Sequence, residues 1–309
     1  MSDSILREAA NFDLGIHPIA GHIGAEIRGV KLSANLPAEI LGAIRRALLH
    51  RKVVIFRDQQ HLDDAAHEGF ARGFGDLVEH PTTPSRTGTS ILELDASRGG
   101  GRADRWHTDV TFVAAYPAIS ILRAVVVPSH GGDTIWTNTA AAYAGLTPEL
   151  RALADRLWAV HSNLYDYAAE RPSASAADRK AYEDVFTSAV FETDHPLVHV
   201  HPETGQRSLI LGNFVRRIRG HSQDQSELLL RLFQDHVTRL DYTFRWRWQA
   251  GDVVMWDNRA TQHIAINDYG EEPRIVRRVT IAGVPPIAVD GQRSVTRKKA
   301  SKPQTAEVT

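Results

Sequence analysis

Apolar residues along this chain recur at two spacings, and the switches between them mark out its elements. Ile40, Leu41, Ile44, Leu48 and Leu49 fall at helical spacing and predict a helix over 37–50. Residues 52–56 are dense in β-branched and aromatic side chains and read as a buried strand. Ala66, Phe70 and Phe74 suit a second helix over 65–73, with Asp63 or Asp64 as an N-cap that accepts backbone N–H groups. A long apolar strand over 118–127 turns at Gly131-Gly132 into 133–136. Thr147 and Pro148 then look like the cap and first position of one of the one or two helices in 138–158. Segments 197–201 and 208–211 flank Pro202-Glu203-Thr204-Gly205 as a hairpin. Ser222 opens an amphipathic helix to Val237, and 242–248 alternates aromatic and basic residues with period two. Strands follow at 253–256 and 274–281, while 16–33 is Gly-punctuated and predicts short strands and turns.

Many short strands with Gly-rich turns, and a few helices set between them, predict a mainly β protein with flanking helices (α+β). A double-stranded β-helix (jelly-roll, cupin-like) core fits best, because its mouth can hold a metal. Residues 1–292 read as one domain. Within it, 80–105 and 162–192 are rich in polar residues, Pro and Ser, and are expected to be mobile loops of functional use. Residues 293–309 are basic and polar, and a disordered tail is expected there.

Composition narrows the partners. The 309 residues are 42% hydrophobic and 24% charged, with 36 basic against 37 acidic residues and a net charge of −1. This balance favours neither nucleic acid nor an anionic membrane, so a small molecule or another copy of the chain is the expected partner. There are no cysteines, which removes disulfides, thiolate ligands and a Cys nucleophile together. No apolar run reaches the roughly 20 residues of a membrane span, and residues 1–13 lack the basic-then-apolar pattern of a signal peptide. A cytoplasmic protein is expected.

Candidate chemistry centres on His107-x-Asp109. If the surrounding alternation is a strand, residues two apart share a face, so an imidazole and a carboxylate converge. That is two-thirds of the 2-His-1-carboxylate triad that holds non-haem Fe(II) with open positions. A second pair, His61-x-Asp63, sits at a helix start and is better explained by capping. His199 and His201 share a hairpin face but have no carboxylate at matching spacing, and an exposed face tolerates histidines cheaply. The third ligand is sought in His263, just after strand 253–256. Arg274 and Arg278 fall on one face of the strand that follows, Arg277 on the other. Two inward guanidiniums need anions, and Arg offers a bidentate fork for carboxylate or sulfate; Glu271 and Glu272 could serve them in part.

Together His107-x-Asp109, Gly132-Asp133-Thr134, Trp256-Asp257-Asn258-Arg259-x-Thr261-Gln262-His263 and Arg274-x3-Arg278 resemble the taurine dioxygenase family of Fe(II)/2-oxoglutarate enzymes. The resemblance spans about residues 14–290. It is nearest to the bacterial alkylsulfatases, through stretches 22–30, 161–167 and 245–248. It implies that His107, Asp109 and His263 bind iron, with 2-oxoglutarate and O2 as cosubstrates. Arg274 would clamp the distal carboxylate of 2-oxoglutarate, with Thr134 donating to it. Arg278, His80 and the Val110 amide would hold a sulfo group, and Phe112, Tyr167 and Phe214 would line the organic portion. Thr83 and Ala103 stand where taurine dioxygenases place a Tyr and an Asn, which suits an alkyl chain better than an aminoethyl group. The expected activity is oxidative cleavage of an alkyl sulfate ester. The alternatives are the same chemistry on taurine, another alkylsulfonate or a phenoxyalkanoate, a zinc hydrolase, and a non-catalytic jelly-roll binding protein. The resemblance also implies a homo-oligomer, a dimer or tetramer.

Overall fold

The structure, a computed structural model, describes residues 14–95, 103–164 and 184–301, together with residues 177 and 180. Its strands are β1 (Gly15–Pro18), β2 (Ala25–Arg28), β3 (Val53–Phe56), β4 (Leu92–Asp95), β5 (Ile119–Val126), β6 (Thr134–Asn138), β7 (Trp158–Ser162), β8 (Ala189–Pro196) and β9 (Val198–Val200). They continue with β10 (Arg207–Leu209), β11 (Val215–Ile218), β12 (Thr243–Trp246), β13 (Val253–Asp257), β14 (Thr261–Ala265), β15 (Ile275–Ile281), β16 (Ile287–Ala288) and β17 (Val295–Ser301). The helices are α1 (Ala38–Arg51), α2 (Asp64–Arg72), α3 (Thr139–Ala144), α4 (Pro148–Ala154) and α5 (Gln223–Val237).

The largest sheet has seven strands in the order β1-β2-β3-β13-β5-β15-β4, antiparallel except for β2 beside β3. Period-two alternation divides its side chains between two cores. Val54, Phe56, Ile121, Met255 and Val279 meet Ile44, Leu48 and Phe70 of α1 and α2 on one face. Val53, Ile55, Leu122, Val254, Trp256 and Val276 meet Trp136, Phe244 and Trp246 on the other. Those last three belong to a three-stranded sheet, β12-β6-β14, so two sheets face each other across this second core. A third core joins Phe233 and Val237 of α5 to Ala142 of α3, Val198, Leu209 and Ile218. Each fully buried aliphatic or Phe side chain adds about 1.5–3 kcal/mol, so the sheets are held chiefly by these facing residues.

Helix starts follow the capping residues seen in the sequence. The Asp63 carboxylate accepts from Ala66 N at 2.8 Å, and Thr147 caps α4 ahead of Pro148. Ser222 and Gln225 form a reciprocal capping box on α5. The hairpin of β9 and β10 pairs as expected, Val200 opposite Arg207.

Two expectations are corrected. The tail from 293 is not disordered up to Ser301, because β17 pairs antiparallel with β8. Its Arg297 reaches Asp194 at 2.5 Å, and Val295 and Thr296 lie opposite Asp194 and Thr193. The excursion expected over 162–192 ends earlier, since β8 begins at Ala189 and its first four residues are ladder-paired. Polar composition misled both readings. β17 is an edge strand, which needs few apolar residues, and β8, though it lies between β7 and β17, opens with partly buried residues.

Candidate active site

The site lies between the seven-stranded sheet and the β12-β6-β14 sheet. His263 is the middle residue of β14, opposite Trp136 of β6. His107 pairs with it through an isolated two-bond bridge, His107 N to His263 O at 3.0 Å and His263 N to His107 O at 2.8 Å. The sequence reading placed His107 and Asp109 on one strand, and this is corrected. Residues 109–112 form a turn, and Val110 stands in the left-handed region at φ 61°. A β-branched residue there costs on the order of 1–3 kcal/mol and persists only where its surroundings impose it. Here Asn258 does so. Its side-chain oxygen accepts from Asp109 N at 2.9 Å, and its amide nitrogen donates to Asp109 O at 3.1 Å and Pro117 O at 2.9 Å.

The turn delivers Asp109 to the two histidines. His107, Asp109 and His263 are all buried, with one ligand atom of each within 4.8 Å of the others. Asp109 Oδ1 is 3.7 Å from His107 Nε2 and 3.8 Å from His263 Nε2. His107 Nδ1 lies 2.8 Å from the Arg105 carbonyl, so Nδ1 carries the proton and the Nε2 lone pair is left for a metal. His263 is flanked by Trp256 and Trp136, ring centroids 4.9 and 6.3 Å away. Burial and the neighbouring His107 hold the His263 pKa well below the usual imidazole value, so the ring is neutral. Burial alone would raise the Asp109 carboxyl; Arg278, then His263 and His107, hold it well below the carboxylate range. An ionised carboxylate with an imidazole lone pair turned to it is the donor set a divalent iron takes, and the residues fit such an ion.

Arg278, on β15, donates from Nη1 to Asp109 Oδ1 at 2.6 Å, with both side chains buried. Arg277 faces the opposite side of the sheet, as its register predicts, and binds Glu93 and Asp64. Glu272 serves neither inward arginine; it accepts from Ser129. Arg274 is buried just before β15, and its Cδ would meet a Cβ placed on Gly132 at 3.3 Å. Gly132 holds φ 68° and so turns the chain into β6 beside this arginine. Thr134 opens β6, and its hydroxyl accepts from Trp248 Nε1 at 2.9 Å, which leaves its proton to donate.

His80 is half-buried, with Nδ1 accepting from the Thr83 and Thr82 amides at 3.0 and 3.3 Å. Nε2 therefore carries the proton. Burial and the charge of Arg278 push its pKa down to about 3, so the ring is a neutral donor. Its ring lies 6.1 Å from Phe112, which lies 5.0 Å from Phe214. Phe214 in turn stands nearly perpendicular to the His107 ring, centroids 6.3 Å apart. Val110, Phe112 and Phe214 form one buried cluster with Phe186 and Phe191. Tyr167 lies outside the described residues. Thr83 sits beside His80, while Ala103 O accepts from Ala265 N at 2.8 Å, two residues past His263.

Sequence reasoning missed Phe186, Ser120 and Gly212. Phe186 stacks on Phe214 at 6.4 Å and lies 6.0 Å from His80. Nothing in its polar surroundings marked it. Gly212 holds φ 107°, and a Cβ there would lie 2.9 Å from His107 Cα. His199 and His201, expected on an exposed face, are buried. His201 Nε2 meets Asp257 Oδ2 at 2.8 Å and His199 Nε2 meets the Arg259 carbonyl at 2.6 Å, so both are structural. His61 bonds the Leu32 carbonyl and stands apart from the triad.

Residues 15–280 match the profile of the family described as taurine catabolism dioxygenase TauD, TfdA family. The chain belongs to this family. Among its relatives is an alpha-ketoglutarate-dependent sulfate ester dioxygenase of Pseudomonas putida, 57% identical over 97% of this chain and 100% of that protein. An alkylsulfatase of Acinetobacter baylyi is 50% identical over 92% of this chain and 89% of its own. The solved structure of a taurine dioxygenase from Burkholderia xenovorans superposes with a TM-score of 0.78, at 37% identity, over 93% of this chain and 95% of that one. The chain is thus a dioxygenase by family, and the triad, the arginines and the turn at Gly132 all fall within or beside the matched span.

Proposed function

We propose that this protein is an Fe(II)/2-oxoglutarate-dependent alkyl sulfate dioxygenase. The observation that carries the reading is Arg278, a buried guanidinium 2.6 Å from the carboxylate that completes the metal triad. Asp109 takes Nη1, but the buried Nε–H has no hydrogen-bond partner among the described residues, which leaves the guanidinium a donor for an anionic substrate group beside the metal. The whole-length similarity to a sulfate ester dioxygenase and an alkylsulfatase supports sulfate as that group. When bound, Fe(II) with 2-oxoglutarate and O2 supplies hydroxylation of an unactivated carbon, 2-oxoglutarate leaving as succinate and CO2.

His107, Asp109 and His263 hold the metal. Arg274 and the Thr134 hydroxyl take the distal carboxylate of 2-oxoglutarate, a role supported by the packing of Arg274 against Gly132, two residues before Thr134. Arg278, His80 Nε2–H and the Val110 amide hold the sulfo group; among the described residues the Val110 amide has no hydrogen-bond partner. Phe112 and Phe214, with Tyr167 by resemblance, line the alkyl chain and exclude water. The chain's contribution is orientation and charge neutralisation. Hydroxylation at the ester carbon would give R–CH(OH)–OSO3−, whose hydroxyl loses its proton as the C–O bond to sulfate breaks, so that the aldehyde forms and sulfate departs with the electron pair.

The two facing sheets support a double-stranded β-helix (jelly-roll) core, and β13 lying between β3 and β5, with β17 paired to β8, supports one domain that runs past 292 to Ser301. Exposed Leu228, Leu232 and Leu240 support a homo-oligomer, whose order light scattering would report. No described helix is long and apolar enough to cross a membrane; a cytoplasmic location is part of this reading, supported by the need for 2-oxoglutarate.

The test is 2-oxoglutarate turnover with a medium-chain alkyl sulfate. Sulfate and aldehyde should appear in step with succinate, and only with O2. Sulfite from taurine, with no sulfate or aldehyde from the ester, would overturn the substrate. Sulfate release without O2 would favour a hydrolase.

A further inference from the structure

The two oxygens of Asp109 have separate partners. Oδ1 faces both histidines and Arg278, whereas Oδ2 accepts from Ser120 Oγ at 2.7 Å. Ser120 is fully buried on β5, with Trp256 of β13 and Thr280 of β15 as its ladder partners on either side. Its backbone therefore cannot shift without breaking two ladders. Asn258 clasps the main chain of Asp109 at both N–H and C=O. With main chain and one carboxylate oxygen both pinned, rotation about Cβ–Cγ would cost the Ser120 hydrogen bond and leave a buried oxygen unmatched.

We propose that Ser120 is a positioning residue that confines Asp109 to single-oxygen coordination of the metal. The inference rests on the triad reading but not on the identity of the substrate. A carboxylate can bind a cation through one oxygen or two, and the second mode takes up another coordination position. A three-ligand site that must receive a two-toothed cosubstrate and O2 has three positions to fill. One stolen by Asp109 Oδ2 would leave too few. The Ser120 hydroxyl occupies Oδ2 and so keeps the third position open. It is a partner that orients a ligand, a class of contact whose loss typically weakens metal binding 10- to 100-fold.

The test uses the full chain loaded with Mn(II), a spectroscopic stand-in for Fe(II). Free Mn(II) is read by electron paramagnetic resonance, and inner-sphere waters by water-proton relaxation. Ser120→Thr keeps the hydroxyl and should match wild type in both. Ser120→Val has the shape of threonine without the hydroxyl; it should hold one water fewer and bind about 10- to 100-fold more weakly. Ser120→Ala makes the same comparison if either larger variant fails to fold. An unchanged water number in Ser120→Val or Ser120→Ala overturns the proposal whatever the affinity does, because Asp109 would still offer one oxygen. Absence of Mn(II) binding by wild type would instead overturn the triad reading itself.

Discussion

Removing the Arg278 guanidinium should affect the empty and metal-loaded proteins differently. In the empty protein Asp109 and Arg278 are each other's charge partner, at 2.6 Å and with side chains 1% and 8% exposed. Breaking such a pair from one side leaves a buried charge uncompensated, which costs about 3–5 kcal/mol. The Ser120 hydrogen bond to Oδ2 remains and the carboxyl can take up a proton, so the lower end, about 3 kcal/mol, is expected for Arg278→Met. A divalent cation in the triad restores positive charge at the same oxygen. The deficit in the loaded protein should then fall below about 1 kcal/mol, and the closed cycle requires Mn(II) to bind the variant tighter by about 2 kcal/mol, roughly 30-fold. Turnover should move the other way, because the substrate anion loses its cation. Urea unfolding of wild type and variant, each with and without saturating Mn(II), measures all four corners. An equal loss of stability in both forms, or weaker Mn(II) binding by the variant, would refute the view that Arg278 and the metal compete for Asp109.

Three further outcomes follow from the geometry. The pKa values of His67, His195 and His199 are pushed by burial from 6.5 to about 3, 4 and 4, so these rings stay neutral while the unfolded chain takes up protons. Stability is therefore complete above pH 6.5 and falls as pH drops from there towards 4, by up to about 1.4 kcal/mol per pH unit for each histidine; a flat urea midpoint between pH 7.5 and 5 would contradict this. His80→Leu removes the Nε2–H donor and should raise KM for the sulfate ester about 10- to 100-fold, the worth of a hydrogen bond to a charged group, with KM for 2-oxoglutarate little changed. A parallel rise in both would deny His80 its place at the sulfate. Gly212→Ala adds a Cβ 2.9 Å from His107 Cα at φ 107°; the bridge to His263 should shift and Mn(II) affinity drop at least about tenfold, with circular dichroism still showing a folded chain.

Local order was legible because it is written in periods and caps. The strand at 53–56, the capped starts at Asp63, Thr147 and Ser222, and the opposite faces of Arg277 and Arg278 all follow from spacing alone. The triad was legible as residue types with a family pattern behind them. The tail was misread because β17 is a polar edge strand whose pairing with β8 is decided across a sequence gap of about 100 residues. His199 and His201 were misjudged as exposed, since only tertiary contact supplies Asp257 and the Arg259 carbonyl.

The pair His107-x-Asp109 shows where the division falls. By itself the sequence determined that an imidazole and a carboxylate stand two residues apart, with a third ligand and two arginines downstream. It also set a strand period that accounts for the convergence in the wrong way. The tertiary structure decided that a left-handed turn at Val110 brings Asp109 in, that Asn258 and Ser120 hold it there, and that Gly212 gives His107 room. The physical reason is that alternation and helical period report only a residue's neighbours along its own element. A strained turn and a chosen carboxylate oxygen depend on groups about 11 and 149 residues away, whose arrival only the packed sheets determine.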